Sequence, residues 1–526
     1  MQQDLITIKD ASSWISTKLK RDITPSNISY LVNYGRVNKH GSNGDTLVSK
    51  EEVLGYYNSY YGNRSLNWKE KLGDDVDWHL SFENYKESET TKHVHRLHPY
   101  KGKFIPQLVE YFLDKHTDEF KKEIFFKKDD IVLDPFCGSG TTLVQSNELG
   151  LNAIGIDISQ FNSLISNVKI ENYDLNDMLK ELNKISGLLK NFITNSDAVT
   201  FEKKLLSELS EFNNKYFPSP DYKIRVRDKF IDEMKYGLQK EKEFLVTYKK
   251  LTKKFNIELN QFNSESFLDK WFLKHVRTEI DFVFELIKKI KNPNTKKIAS
   301  VILSRTIRSC RATTHSDLAT LIDPITTTYY CSKHGKICKP LFSIQSWWER
   351  YSKDTIKRVK EFNSLRTSTS QHCFTGDSQT IDLFESAEKW NKNFAEKLKS
   401  QKIKGIFTSP PYVGLINYHE QHAYAYDLYG FKRRDDLEIG PLFKGTGKEA
   451  KESYVDGIAA VLNNCKRFLK KDYSAFIVAN DKNNLYPTIA EKAGMKIVQQ
   501  FKRPVLNRSE KDKNAYSEII FHFKEK

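Results

Sequence analysis

The stretch from residue 131 to residue 157 constrains the fold more than any other. Ile131-Val132-Leu133 is a short apolar run with β-branched residues, the mark of a buried strand. It runs into Asp134-Pro135-Phe136-Cys137-Gly138-Ser139-Gly140, a loop too rich in turn formers to extend a strand or a helix. Thr141 opens a helical pattern that reaches Leu149, and Gly150 can cap it. Ala153-Ile154-Gly155-Ile156 is a second apolar run and ends at Asp157. Strand, tight loop, helix and strand in so short a span predict an α/β fold with a doubly wound sheet. In such a sheet, ligands sit beyond the carboxyl ends of the strands.

Two loops then carry the chemistry. Gly138 and Gly140 let the backbone approach a ligand closely, and the helix start behind them favours an anionic group. The spacing is not the dinucleotide G-x-G-x-x-G, and no phosphate-loop lysine follows. Asp157, at the end of the next strand, is placed to accept hydrogen bonds from ribose hydroxyls. The second loop is Thr408-Ser409-Pro410-Pro411-Tyr412, after the apolar run Gly405-Ile406-Phe407. Two prolines end the strand and stiffen an extended backbone. The loop then offers a hydroxyl, free carbonyls and an aromatic ring to a flat, amine-bearing ligand.

Together the two loops resemble the S-adenosylmethionine-dependent DNA amino-methyltransferases, in particular the cytosine-N4 group, whose catalytic loop is commonly S-P-P-Y. Adenine-N6 enzymes more often carry D-P-P-Y or N-P-P-Y. The resemblance covers residues 93–160 and about 370–526. It implies a class I methyltransferase sheet with a C-terminal antiparallel pair, from the strand-like runs near residues 495–499 and 517–523. It implies that Asp134, Gly138 and Gly140 hold the methionine part of the cofactor, with Phe136 and Thr141 beside them. Asp157 and Ile158 would take the ribose, and Asp377, after Thr375-Gly376, the adenine amine. Lys103 and Phe104, in Lys101-Gly102-Lys103-Phe104-Ile105-Pro106, would pack against the cofactor from outside the sheet. Ser409, Pro410, Pro411 and Tyr412 would be catalytic, acting on a base flipped out of the duplex. Cofactor segment, glycine loop, long insertion, catalytic loop is an order like the arrangement called alpha, in which the intervening region recognises the target.

The rest of the chain divides by character. Residues 1–60 read as a winged helix-turn-helix-like module. Ile6, Ile8, Ala11, Trp14 and Ile15 sit at helical spacing, Thr24-Pro25-Ser26 starts a second helix, and Asn43-Gly44 signals a hairpin turn. Ser26, Asn27 and Tyr30, near the start of that second helix, are candidates to touch DNA. Residues 61–92 read as a linker, 93–164 as the first part of the methyltransferase core, 165–370 as a helical insertion and 371–526 as the second part of the core. Arg305, Arg308 and Arg311 share one face of a helix in the insertion and are candidates for phosphate or guanine contact. Cys331, His334 and Cys338 have the spacing of three zinc ligands. A zinc there would need a fourth, such as Cys310 or Cys373; without one the expectation is no metal.

With 84 Lys and Arg against 68 Asp and Glu, the formal charge of +16 favours a polyanionic partner, with double-stranded DNA first. No run suits a bilayer span or a secretory signal, and six cysteines in 526 residues are no disulfide framework. The expectation is a cytoplasmic, site-specific DNA methyltransferase (cytosine-N4-specific) in a bacterial restriction–modification system, with any restriction endonuclease a separate protein. The adenine-N6 reaction stays open beside it, as does a DNA-binding regulator with an inactive methylase core.

Overall fold

The computed structural model describes residues 4–19, 22–41, 46–59, 64–73, 75–194, 196–260, 266–315, 321–505 and 515–526. Its strands are β1 (Leu5–Thr7), β2 (Leu47–Ser49), β3 (Ile131–Asp134), β4 (Asn152–Asp157), β5 (Tyr329–Cys331), β6 (Lys336–Cys338), β7 (Gln371–Thr375), β8 (Ile403–Thr408), β9 (Leu469–Ala479), β10 (Met495–Pro504) and β11 (Ser517–Glu525). The chain forms two compact units. One gathers Met1–Lys71, Leu189–Glu279 and Ser309–Ile344; the other gathers Leu72–Leu188, Ile280–Arg308 and Gln345–Lys526.

The second unit is built on a seven-stranded sheet in the order β10-β11-β9-β8-β3-β4-β7. From β9 to β7 the strands are parallel. β11 runs antiparallel to β9, and β10 antiparallel to β11, so the two C-terminal runs form the antiparallel pair at one edge. All residues of β3 and β4 are buried, which is why their apolar runs lack a polar alternation. One face packs Ile131, Leu133, Ile154 and Ile406 against Leu462, Phe468 and Leu398. Phe112, from the helix Pro106–Leu113, packs against Phe407, Phe476 and Phe501, with ring centroids 4.8–5.8 Å apart. Each such buried ring contributes roughly 1.5–3 kcal/mol of apolar burial.

Topology fixes where a ligand can sit. From β3 the chain goes to β4 on one side, while β8 flanks β3 on the other. That reversal opens a crevice at the strands' carboxyl ends, between the loops after β3 and β8. At the far edge Asp77 hydrogen-bonds both ways with Lys502 of β10: its N–H donates to the Lys502 carbonyl at 2.6 Å, and its carboxylate accepts the Lys502 N–H at 2.8 Å. An edge strand closed in this way is a poor template for further pairing.

In the first unit the N-terminal residues pack Ala11, Ile15, Ile28, Leu31, Val48 and Val53 into a small core. The helix Pro25–Asn33 is capped by Thr24 in a reciprocal box with Asn27, as the sequence signal predicts. Ile6 is not on the first helix, as its spacing suggested. It lies in β1 and pairs with Val48 of β2, ahead of the helix Ile8–Leu19. Three residues of strand have no periodicity to read, and their partner is distant in sequence. The Asn43-Gly44 turn lies outside the described residues. Further on in this unit, Arg227, at the end of the helix Asp221–Arg227, donates from Nη1 to the Gly35 carbonyl at 2.9 Å. Among the described residues no helix is long and apolar enough to cross a membrane.

Candidate active site

The loop after β3 is held by its own backbone and by two buried carboxylates. Gly138 and Gly140 have φ of +51° and +74°, where an L side chain is strained. A Cβ at Gly138 would meet the Tyr100 ring at 3.1 Å, and one at Gly140 would come within 2.9 Å of Ser166. Both glycines are therefore required by conformation and by packing. Asp157 accepts the Gly138 N–H and the Ser159 N–H at 2.8 Å each, and the Asn162 amide at 3.1 Å. Burial nevertheless pushes its carboxyl up to about 7, against the lowering effect of these donors. Asp134, below the loop, is pushed up to about 6, again chiefly by burial.

The loop after β8 is tied to the first one. Thr408 Oγ1 donates to Asp134 Oδ1 at 2.6 Å, and Thr142 Oγ1 donates to the Phe407 carbonyl at 3.3 Å. Beyond the strand, Tyr412 donates its hydroxyl to Glu518 Oε1 at 2.9 Å. Ser409 lies beside the Tyr412 hydroxyl. Arg503 Nη1 stands 3.9 Å from the other Glu518 oxygen. Ser409 is thus the outer end of a chain of polar groups rooted in the antiparallel strand pair.

Both loops open into one cavity with about 900 Å³ of free space, its mouth included. Of the residues expected from sequence, Lys103, Phe104, Phe136, Gly138, Thr141, Asp157, Ile158, Asp377, Ser409 and Pro411 line this cavity. Asp134, Gly140, Pro410 and Tyr412 do not. Asp134 and Pro410 are buried, Gly140 serves the turn, and Tyr412 reaches toward Glu518. Tyr418 and His419 line the cavity, whereas Tyr424 is buried with its hydroxyl 3.1 Å from His98 Nε2.

Sequence reading missed Tyr100, Ser159, Asn162, Ser378 and Glu438, which line the same cavity. Only Ser159 carried a local signal, since its hydroxyl caps the helix Gln160–Ile170 through the Asn162 N–H. It also lies 2.5 Å from the Tyr426 hydroxyl, which is itself 2.5 Å from His419 Nδ1. Four buried polar atoms of cavity residues, Ser139 Oγ, Asn162 Oδ1, His419 Nε2 and Glu438 Oε2, have no hydrogen-bond partner among the described residues. Unmatched polar atoms in a lined cavity fit a polar ligand.

The residues expected to touch DNA differ in their exposure. Ser26, Asn27 and Tyr30 are exposed on the N-terminal module. The Asn27 side chain is engaged in the cap, accepting the Thr24 N–H at 2.8 Å, and Tyr30 stacks on Tyr34 at 4.2 Å. Arg305 is buried, its guanidinium 2.7 Å from Asp354 and 4.0 Å from the Tyr351 ring centre, so it is already committed. Arg311 is buried as well, and Arg308 is half-buried.

The N6_N4_Mtase family, described as DNA methylase, matches residues 36–168. Type II methyltransferase M.MjaII of Methanocaldococcus jannaschii is 47% identical over 524 residues, which is 99% of this chain and 97% of that protein. The chain belongs to the N6/N4 DNA methylases. Shorter matches join it to other type II methyltransferases. M.MvaI of Kocuria varians is 32% identical over 110 residues, 21% of this chain and 23% of that one. M.BsoBI of Geobacillus stearothermophilus is 35% identical over 98 residues, 18% of each. As a methylase of this family the protein takes S-adenosylmethionine as its cosubstrate. The close-backbone glycine turn, the Asp157 carboxylate and the unmatched Ser139 and Asn162 oxygens suit such a polar, ribose-bearing molecule.

Proposed function

We propose that this DNA methylase transfers a methyl group to the exocyclic N4 amine of a cytosine flipped out of a specific DNA sequence. We place it in a restriction–modification system whose endonuclease is a separate protein. The observation that carries the reading is Ser409, a neutral hydroxyl at the head of the S-P-P-Y loop, lining the cavity beside Asp157.

S-adenosylmethionine, when bound, supplies an activated methyl group. The glycine turn, braced from below by Asp134, would hold its methionine part, Asp157 its ribose and Asp377 its adenine, with Lys103 and Phe104 closing the outer side. Cytosine's amino lone pair is delocalised into the ring, so the amine is a poor nucleophile. Ser409 lines the cavity, where its hydroxyl lone pairs are available to a bound base. Ser409 Oγ and the Pro410 carbonyl then accept the two amine hydrogens and draw the lone pair onto nitrogen. Glu438 Oε2 and His419 Nε2 offer further polar contacts to the base edge. No enzyme nucleophile is required. Cys137, the thiol nearest the chemistry, is buried with its thiol pushed up by desolvation.

The first unit, with its N-terminal module and helices, is the proposed reader of the target sequence, and the excess of 16 positive charges supports a DNA partner. The test is nucleoside mass spectrometry on DNA from cells expressing the protein, with modified positions mapped. N4-methylcytosine at one recurring sequence is expected. N6-methyladenine would overturn the base assignment, and unmodified DNA despite bound cofactor would leave a regulator with an inactive core.

A further inference from the structure

The β5–β6 hairpin of the first unit brings four ligand-type side chains to one point. Cys331 ends β5, His334 lies in the turn and Cys338 ends β6. The fourth is His315, sixteen residues before Cys331. One ligand atom from each lies within 4.8 Å of all the others. Cys331 Sγ is 3.5 Å from His334 Nδ1 and 3.7 Å from His315 Nδ1, and Cys338 Sγ is 3.6 Å from His334 Nδ1. For a tetrahedral zinc with Zn–S of about 2.3 Å and Zn–N of about 2.0–2.1 Å, the sulfur–nitrogen edge is about 3.5–3.6 Å. Ordinary hydrogen bonding accounts for the cluster less well. His334 Nδ1 has both thiols at the same short range, and one nitrogen has a single proton or a single lone pair to offer.

We infer that His315, Cys331, His334 and Cys338 hold a structural zinc ion. Two thiolates and two imidazoles are a soft, tetrahedral donor set, which selects zinc among the common divalent ions. Four protein ligands close the coordination sphere, and none of the four lines the candidate active-site cavity. Neither fourth ligand suggested by the sequence is part of the cluster. Cys310 is buried at the end of the helix Pro293–Cys310, and Cys373 lies on β7 with its sulfur 3.7 Å from Ser163 Oγ. His315 Nδ1 stands 2.8 Å from the Tyr329 hydroxyl, a hydrogen bond that coordination through this nitrogen would replace.

The hairpin has reason to need a staple. Its strands are three residues each, and its own apolar cluster is Tyr329, Cys331 and Cys338 with Ile325. A two-stranded hairpin with so little core is marginal by itself. It is also a junction. Asn213 holds the Ile337 N–H at 2.9 Å and donates to the Ile337 carbonyl at 3.0 Å, while the Tyr330 hydroxyl meets Tyr222 at 2.9 Å and Glu233 at 2.8 Å. Lys223 donates to the Ser332 carbonyl in the turn at 2.5 Å, and its helix ends in the Arg227 that grips Gly35 of the N-terminal module. The zinc would thereby fix the platform on which that module rests.

The full-length protein, purified under reducing conditions, should contain about one zinc per chain by elemental analysis. After chelation, added Co²⁺ should give thiolate-to-cobalt charge transfer and the intense d–d bands of a tetrahedral site. Cys331→Ser with Cys338→Ser should reduce zinc to background, His315→Gln should weaken it at least tenfold, and Cys310→Ser should leave it unchanged. If the double variant does not fold, the cobalt spectrum of the wild-type chain decides alone. A wild-type chain that takes up neither Zn²⁺ nor Co²⁺, or a double variant that keeps its zinc, would overturn the assignment.

Discussion

The two loops that meet at the crevice solve the same problem by opposite means. The loop after β3 gives up side chains: two glycines at positive φ bring bare backbone to the cavity, and charge comes from the buried Asp157 beside it. The loop after β8 gives up backbone freedom: two prolines fix an extended path, and its polar groups are neutral. One side of the cavity is therefore a titratable cradle and the other a rigid set of uncharged acceptors. Binding and chemistry should respond differently to mutation and to pH, and that separation can be broken experimentally.

The largest effect belongs to the proline-stiffened side. Ser409→Ala removes an acceptor that matters only when the amine develops charge, so kcat should fall roughly 10²–10³-fold. The dissociation constant for S-adenosylmethionine should not move, because Ser409 is assigned to the base and not to the cofactor. Single-turnover rates with equilibrium cofactor binding on the same samples read both quantities. Full activity in this variant would remove Ser409 from the catalytic role.

Asp157→Asn tests the opposite side. A hydrogen bond to an ionised acceptor is worth about 1.5–3 kcal/mol, so cofactor affinity should drop roughly 10–100-fold, with a smaller change in the rate at saturating cofactor. Calorimetric titration of the variant checks this. Equal losses in affinity and in saturated rate would mean that the two sides are not separable.

Much of this contrast is legible in the sequence because each loop is one contiguous stretch whose residue types state its conformation. The Asp-Pro-Phe-Cys-Gly-Ser-Gly run and the Ser-Pro-Pro-Tyr run specify their own backbones, and Asp157 follows at the end of the next strand. What was not legible comes from elsewhere in the chain. Tyr100 packs over Gly138, and Glu438 lines the cavity, yet no local pattern marks either. Helical spacing put Arg305, Arg308 and Arg311 on one face, but the helix Pro293–Cys310 ends before Arg311, and the spacing could not say what Arg305 meets. For Arg305 the answer is Asp354 and Tyr351, brought by a later helix, Gln345–Asn363. β1 failed for the same reason: its partner is far along the chain.

The pH response follows from the cradle. Burial pushes the Asp157 carboxyl up to about 7, above its ordinary carboxylate range, because it disfavours the charge. The raised value means that the folded chain keeps a proton that the unfolded chain releases, so this group's contribution to cofactor-free stability falls as pH rises from about 4 to 7. Ribose hydroxyls donate to the ionised form, so cofactor affinity should move the other way. Affinity should increase about tenfold from pH 6 to pH 8 in the wild type relative to Asp157→Asn, whose own profile absorbs titration of the cofactor. A wild-type profile parallel to that of the variant would remove Asp157 from the binding step.

The smallest effect separates two jobs that Tyr412 combines. Its ring is proposed to stack on the base, while its hydroxyl lies beside Ser409 and donates to Glu518 Oε1. Tyr412→Phe keeps the ring and removes only the hydroxyl. Glu518 still receives the Tyr516 hydroxyl at 3.3 Å and keeps Arg503 nearby, so the strand pair should hold. One neutral hydrogen bond is worth about 0.5–1.5 kcal/mol, so kcat should fall roughly two- to tenfold with cofactor affinity unchanged. Tyr412→Ala, which also removes the ring, should fall further. If the phenylalanine variant loses as much as the alanine variant, orientation of Ser409 through the hydroxyl outweighs stacking. If it loses nothing, Ser409 is held by the prolines alone, and the stiff loop is sufficient without its anchor in the strand pair.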